Sequence, residues 1–175
     1  MMKIKVGLED GYLADKFTKY ASNEFKDSDD KPILSFPMQV SEIPDGARYL
    51  ALSFIDHDAV AVVGFSWIHW LVANIPTNSK SEVNLPEDFS RDPSLGVVQG
   101  ENSNAKSPAN GAKDSLTNWH YSGPQPPDRD HDYTLTVYAL SDKLELNDRF
   151  LFNEFRQKVR QKTIGVTEIN VKARV

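Results

Sequence analysis

Residues 67–75, Trp-Ile-His-Trp-Leu-Val-Ala-Asn-Ile, form an apolar run too short for a membrane span and rich in aromatic and β-branched side chains. It ends at Pro76-Thr77-Asn78, a turn sequence. Apolar residues occupy both parities of the run, the pattern of a strand covered on both faces. Arg48 to Ile55 (RYLALSFI) follows the turn residues Pro44-Asp45-Gly46, and Asp132 to Leu140 (DYTLTVYAL) follows a proline-rich stretch from Gly123 to Pro127. Both have the same character. At the end of the chain, Ile169, Val171, Ala173 and Val175 alternate with Asn170, Lys172 and Arg174, which predicts a strand with one wet face. A helix is expected where Leu151 or Phe152, Phe155 and Val159 recur at helical spacing. Asn147 or Asp148 would cap it, with Leu146 and Leu151 as a hydrophobic staple. Strands followed by one late helix predict a mainly β architecture.

The length, 175 residues, suits one domain spanning 1–175, and no repeat or linker divides it. Net charge is −5 without a basic stripe, so nucleic acid is not an expected partner. The basic residues Arg156, Lys158, Arg160 and Lys162 read as the solvated face of the helix. There is no cysteine, which removes disulfides, thiolate metal sites and thiol catalysis together. Met1 to Asp10 has no apolar signal core and no run could cross a bilayer, so no transmembrane segment is expected and the cytoplasm is the expected location. The stretch from Glu101 to Asn118 is polar and small, and is expected to lack regular structure near the mouth of any pocket.

Five side chains draw attention as chemistry. His69 lies within an apolar strand, on the parity of Trp67 and Leu71, where it must either find a core partner or face a pocket. Asp56 and Asp58 follow a strand, where carboxylates can orient a histidine or simply make a turn. His131 and Tyr133 share one face, about 7 Å apart at a rise of ~3.3 Å per residue, and suit a phosphate or carboxylate oxygen. Before them, Tyr121-Ser122-Gly123-Pro124-Gln125-Pro126-Pro127 is a rigid loop whose backbone N–H groups could face an anion.

These blocks occur in a recognisable order: Asp56-His57-Asp58-Ala59, then His69-Trp70 running to Asn74-Ile75-Pro76, then Tyr121 to Pro127, then His131-Asp132-Tyr133. The chain resembles the phosphatidylethanolamine-binding protein family, in particular its prokaryotic branch called Raf kinase inhibitor-like. Pro32 to Phe36 and the entry Gly11 to Phe17 extend the resemblance over nearly the whole chain. The sequence departs from the family pattern at His57, Val60, His120 and Asp132, and in the long polar stretch from Glu101.

The resemblance implies two packed antiparallel sheets with a Greek-key core and a minor C-terminal helix. It also implies a ligand pocket formed by Asp56, Asp58, His69, Tyr121, Gly123, Pro124, His131 and Tyr133. Its expected ligand is a small phosphate-like anion or a phosphorylated ligand, with the histidines and backbone N–H groups as donors. No cofactor and no resident metal are implied, and a homodimer is left open. A binding module is the leading expectation. An acid–base enzyme, such as a hydrolase, using Asp56, His69 and His131 is the alternative, with Ser122 the serine next to the pocket. A metal site on Asp56, His57, Asp58 and His69 is the third, although adjacent residues on an extended chain point to alternate sides.

Overall fold

The computed structural model describes residues 1–92, 94, 96–105 and 115–175. Two sheets face one another across an aromatic core. The smaller has the order β1 (Lys3–Val6), β4 (Met38–Ser41), β7 (Glu82–Leu85). The larger runs β2 (Leu8–Glu9), β3 (Tyr12–Leu13), β10 (Thr163–Ala173), β9 (His131–Leu140), β5 (Tyr49–Asp56), β6 (Trp67–Pro76), β8 (Val98–Gln99). Within it, β5, β6 and β8 succeed one another and β9 returns to lie beside β5, which is the Greek-key order. Pairing is antiparallel except where β3 meets β10 in parallel, at Tyr12 opposite Lys172.

The two-parity apolar pattern has a direct cause. Leu50, Leu52 and Phe54 of β5 and Trp70 and Val72 of β6 face the small sheet and share one core with its Met38 and Val40. Ala51, Leu71 and Ala73 face the other way, beneath α2 (Phe152–Lys162), which lays Phe155 and Val159 on them. The central strands are therefore buried on both sides. Phe36 anchors the main core. It is fully buried, and its ring meets Phe17, Phe54, Trp70 and Tyr121 edge-on at centroid distances of 6.3, 5.2, 6.3 and 5.8 Å.

The helix begins later than its cap residues suggest. Leu151 occupies the N-cap position, and its N–H donates to the Glu154 carboxylate at 2.7 Å. Asp148 is engaged elsewhere, accepting the Gln99 N–H of β8 at 3.0 Å, and Arg149 turns the chain at φ 66°. With Leu151 as N-cap the staple positions move from Leu146 and Leu151 to Phe150 and Phe155, whose rings stack at 5.7 Å. Arg156 and Arg160 do lie on the solvated face of α2. The last strand starts at Thr163, directly after the helix and six residues before the alternation becomes readable.

Of the stretch from Glu101 to Asn118, residues 106–114 lie outside the described residues. Its described ends are anchored rather than loose. Leu116–Asn118 forms a 3-10 turn, and Asn102, Asn104, Thr117 and Asn118 are buried. The Asn102 amide donates to the Thr117 and His120 carbonyls, and the Thr117 hydroxyl donates to Asp27 at 2.6 Å. Polar composition there supplies hydrogen bonds to the fold, which outweighs the small apolar content. No described helix is long and apolar enough to cross a membrane.

Candidate anion site

Strand register assembles the site. On adjacent strands Asp56 of β5 stands opposite Tyr133 of β9, so His131 falls diagonally across from the carboxylate. On the other side of β5 the register slips: Phe54 pairs with Trp70, but Ile55 pairs with Ile68. His69 is the extra residue of this bulge. A bulge re-aims a side chain, and here it breaks the expected parity with Leu71. His69 turns inward with Trp70, its ring 6.0 Å from Phe54 and 5.1 Å from Tyr133, while Leu71 goes to the opposite face.

The result is a cavity of about 200 Å³. Asp56, His69, Gly123, His131 and Tyr133, far apart in sequence, all line it. The other three residues expected there have different neighbours. Asp58 accepts the Asp132 N–H and pairs with Arg129, both at 3.0 Å, which ties the end of β5 to the start of β9. Tyr121 is in the core, donating its hydroxyl to the Phe17 carbonyl at 2.8 Å. Pro124 accepts the Lys19 N–H at 2.9 Å through its carbonyl.

The loop does not act as an anion nest. Ser122 N–H donates to the His69 carbonyl and Gly123 N–H to the Pro32 carbonyl, so both amides are spent inside the fold. Glycine is required at 123 for a different reason: a Cβ there would lie 2.3 Å from the Phe17 carbonyl oxygen and 2.7 Å from Pro32 Cβ.

The two histidines are unlike each other. His69 Nδ1 lies 2.7 Å from the Ser122 carbonyl, an acceptor, so Nδ1 carries the proton and the neutral ring keeps a lone pair on Nε2. Burial lowers its pKa, the neighbouring His131 adds to the effect, and the Ser122 carbonyl and Asp56 only partly offset it. His131 Nδ1 donates to Asp56 at 2.8 Å and Nε2 to Asp128 at 2.9 Å. Burial alone would lower this pKa too, but the two carboxylates outweigh it and the pKa is raised. His131 is thus a buried imidazolium with both donors committed, and His69 is a neutral ring. Both histidines were expected as donors; in this arrangement neither ring has an uncommitted N–H.

Asp56 is doubly engaged, its second oxygen accepting the Ala59 N–H at 3.0 Å, so the turn and the histidine partner are one carboxylate. Tyr133 has a buried hydroxyl that makes no hydrogen bond of ordinary length and angle, with the Asp56 carboxylate as its neighbouring acceptor. Burial first, then the Asp56 charge and this contact, raise its pKa, which keeps the phenol protonated and able to donate.

The alternative chemistries meet a different geometry. Ser122 Oγ accepts from the Asn104 amide at 2.9 Å, and the His69 ring bonds the serine's carbonyl rather than its hydroxyl. The expected serine therefore has no base on its oxygen. For the metal alternative, His57 Nδ1 pairs with Ser66 Oγ at 2.8 Å and Asp58 with Arg129. Among the described residues no group of three or more His, Asp or Glu side chains is placed to hold a metal ion.

Three features escaped the sequence reading. Asn104 lines the cavity from a stretch read as loose loop. Asp128 contacts His131, and nothing in a Pro-Pro-Asp-Arg run marks that. The third is a single helical turn, α1 (Val60–Val63), closed by Gly64 at φ 86°. Its Val62 and Val63 line the cavity and, like the neighbouring Val60 and Phe65, are each about half exposed. The glycine after an apolar run was its one available signal.

A family model described as Phosphatidylethanolamine-binding protein matches residues 4–174. The Bacillus subtilis (strain 168) protein YxkA is 47% identical over 164 residues, 94% of this chain and 95% of that protein. A Methanothermobacter thermautotrophicus UPF0098 protein is 39% identical over 114 residues, 65% of this chain and 64% of its own. Two solved structures share the fold. Escherichia coli YbcL, described as a new member of the mammalian PEBP family, superposes with TM-score 0.74 at 22% identity over 99% of this chain and 98% of its own. The Chlamydia trachomatis protein CT736, described as a putative PEBP homolog, gives 0.72 at 21% identity over 99% and 97%.

Proposed function

Because the chain belongs to the phosphatidylethanolamine-binding protein family, we propose that its cavity binds a small phosphate-like anion, either free or as the headgroup of a phosphorylated ligand. The observation that carries this reading is the Tyr133 hydroxyl, buried in the cavity wall without a hydrogen bond of ordinary geometry. A buried donor left unpaired is costly, and an oxyanion satisfies it. The imidazolium of His131 supplies positive charge in the same wall despite the acidic whole, because field at contact distance outweighs net charge. The half-exposed valines of α1 leave one side of the cavity mouth apolar, which fits an anion carrying a substituent.

The test is calorimetric titration of inorganic phosphate and sulfate into wild type and Tyr133→Phe at low ionic strength. Loss of one hydrogen bond to a charged ligand should weaken binding by about 1.5 kcal/mol, roughly tenfold in Kd. Equal affinity in the two proteins would remove Tyr133 from the site and the proposal with it.

A further inference from the structure

His131 brings a cationic ring to the cavity wall, yet both of its nitrogens are bonded to carboxylates of the chain itself. The two carboxylates differ in how they are held. Asp56 is 5% exposed in its side chain, with both oxygens committed, one to His131 and one to the Ala59 N–H. Asp128 is 44% exposed and reaches His131 from the surface, at the end of the proline loop. Its other oxygen is 3.3 Å from Arg129 Nη1, and Arg129 Nη2 already holds Asp58 at 3.0 Å. A second cation therefore stands ready beside Asp128 wherever its bond to His131 is given up.

We propose that Asp128 is a built-in competitor for the ligand: an anion entering the cavity takes over Nε2 of His131 by displacing the Asp128 carboxylate, which turns to Arg129. The proposal rests on the anion reading of the cavity and adds to it a residue that sets how tightly anions bind. A tethered carboxylate competes at high effective concentration. A monocarboxylate offers the imidazolium no more than Asp128 does, so it gains little by the exchange. An oxyanion with two ionised oxygens can bond His131 and the Tyr133 hydroxyl together, and the site thereby selects doubly charged oxyanions over simple carboxylates.

The experiment titrates sulfate and acetate into the full chain as wild type, Asp128→Ala, Asp128→Asn and Asp130→Asn. Asp130 lies in the same loop but bonds Tyr12 and the Val175 N–H, so it controls for charge alone. Because Asp128 is partly solvated, its removal should tighten sulfate by roughly three- to tenfold, and the asparagine variant should gain less since its amide oxygen still accepts. Acetate, entering by the same exchange, should gain by a factor no larger than that of sulfate, because the same competitor is removed for both. Asp130→Asn should stay within about twofold of wild type, as expected for a partly solvated charge that does not touch the site.

A second readout needs no variant. The His131 contact holds the Asp128 carboxyl below its ordinary pKa, so carboxyl 13C NMR at sulfate saturation should show that value moving up. No gain in either Asp128 variant, an equal gain in Asp130→Asn, or an unmoved Asp128 titration would each overturn the displacement. If sulfate binding in wild type depends on Tyr133 while the Asp128 variants match wild type, the anion site stands and the competitor does not. If no variant binds sulfate at all, both readings fall.

Discussion

Changing the pH of a sulfate titration from about 6 to about 8 acts on His69, whose unperturbed imidazole would titrate at ~6.5. The Ser122 carbonyl fixes the proton on Nδ1, so the neutral ring turns a lone pair, not a donor, toward the ligand. Sulfate has no proton to give that lone pair. To bind beside it, sulfate must bring His69 into its charged form, with Nε2–H on the anion and Nδ1–H on Ser122. In the free protein, burial and the nearby His131 charge lower the His69 pKa, and a bound anion raises it. Between those two values binding takes up one proton, so sulfate affinity should fall about tenfold per pH unit, or ~1.4 kcal/mol. The other groups facing His69 are Asp56, His131 and the Tyr133 hydroxyl. Asp56 has both oxygens bonded, to His131 and to the Ala59 N–H, and Tyr133 stays protonated throughout. His131 adds to the same trend once the pH passes its raised pKa. Phosphate is the contrast. Its dianion, dominant above ~pH 7, still carries one O–H that can donate to Nε2 directly, so its pH dependence should be shallow. Titrations in buffers of different ionisation enthalpy count the protons. The reasoning fails if sulfate binds with no proton uptake at pH 7.5, or if sulfate and phosphate lose affinity in parallel.

Two further outcomes follow from the same geometry. Gly123→Ala should destabilise the fold by about 1–3 kcal/mol in urea unfolding, because its Cβ meets the Phe17 carbonyl and Pro32, neither of which can swing aside; a change below ~0.5 kcal/mol would show that the loop yields. Asp56→Asn should cost about 2 kcal/mol near pH 6, by removing the charge-assisted bond to His131. The raised pKa of His131 makes its contribution full below the unfolded value of ~6.5 and lost as pH rises through the folded value, so wild type and variant should converge in alkaline urea titrations. A gap that widens with pH would contradict the imidazolium assignment.

The central strands of the larger sheet and the residue types of the cavity were legible in the chain, because both are local, whereas the strands of the smaller sheet were not read from it. Alternation, aromatic and β-branched content and turn residues sit within a few positions of each other, and β5, β6 and β9 begin and end within one residue of where those patterns place them. Asp56, His69, Gly123, His131 and Tyr133 come together as the order of their blocks implied. What each of them presents to a ligand was decided only by tertiary contacts. The His69 tautomer is set by a carbonyl 53 residues away, and the His131 charge by a carboxylate 75 residues away. The backbone N–H of Gly123 is consumed by Pro32, 91 positions earlier, and the bulge that turns His69 inward exists only as a mismatch between two strands. The helix start at Leu151 depends on Asp148 being drawn to β8. Sequence spacing carries the side chains that could act. Which lone pair or proton each one has left depends on hydrogen bonds between distant segments, and those form only when the sheets close on each other.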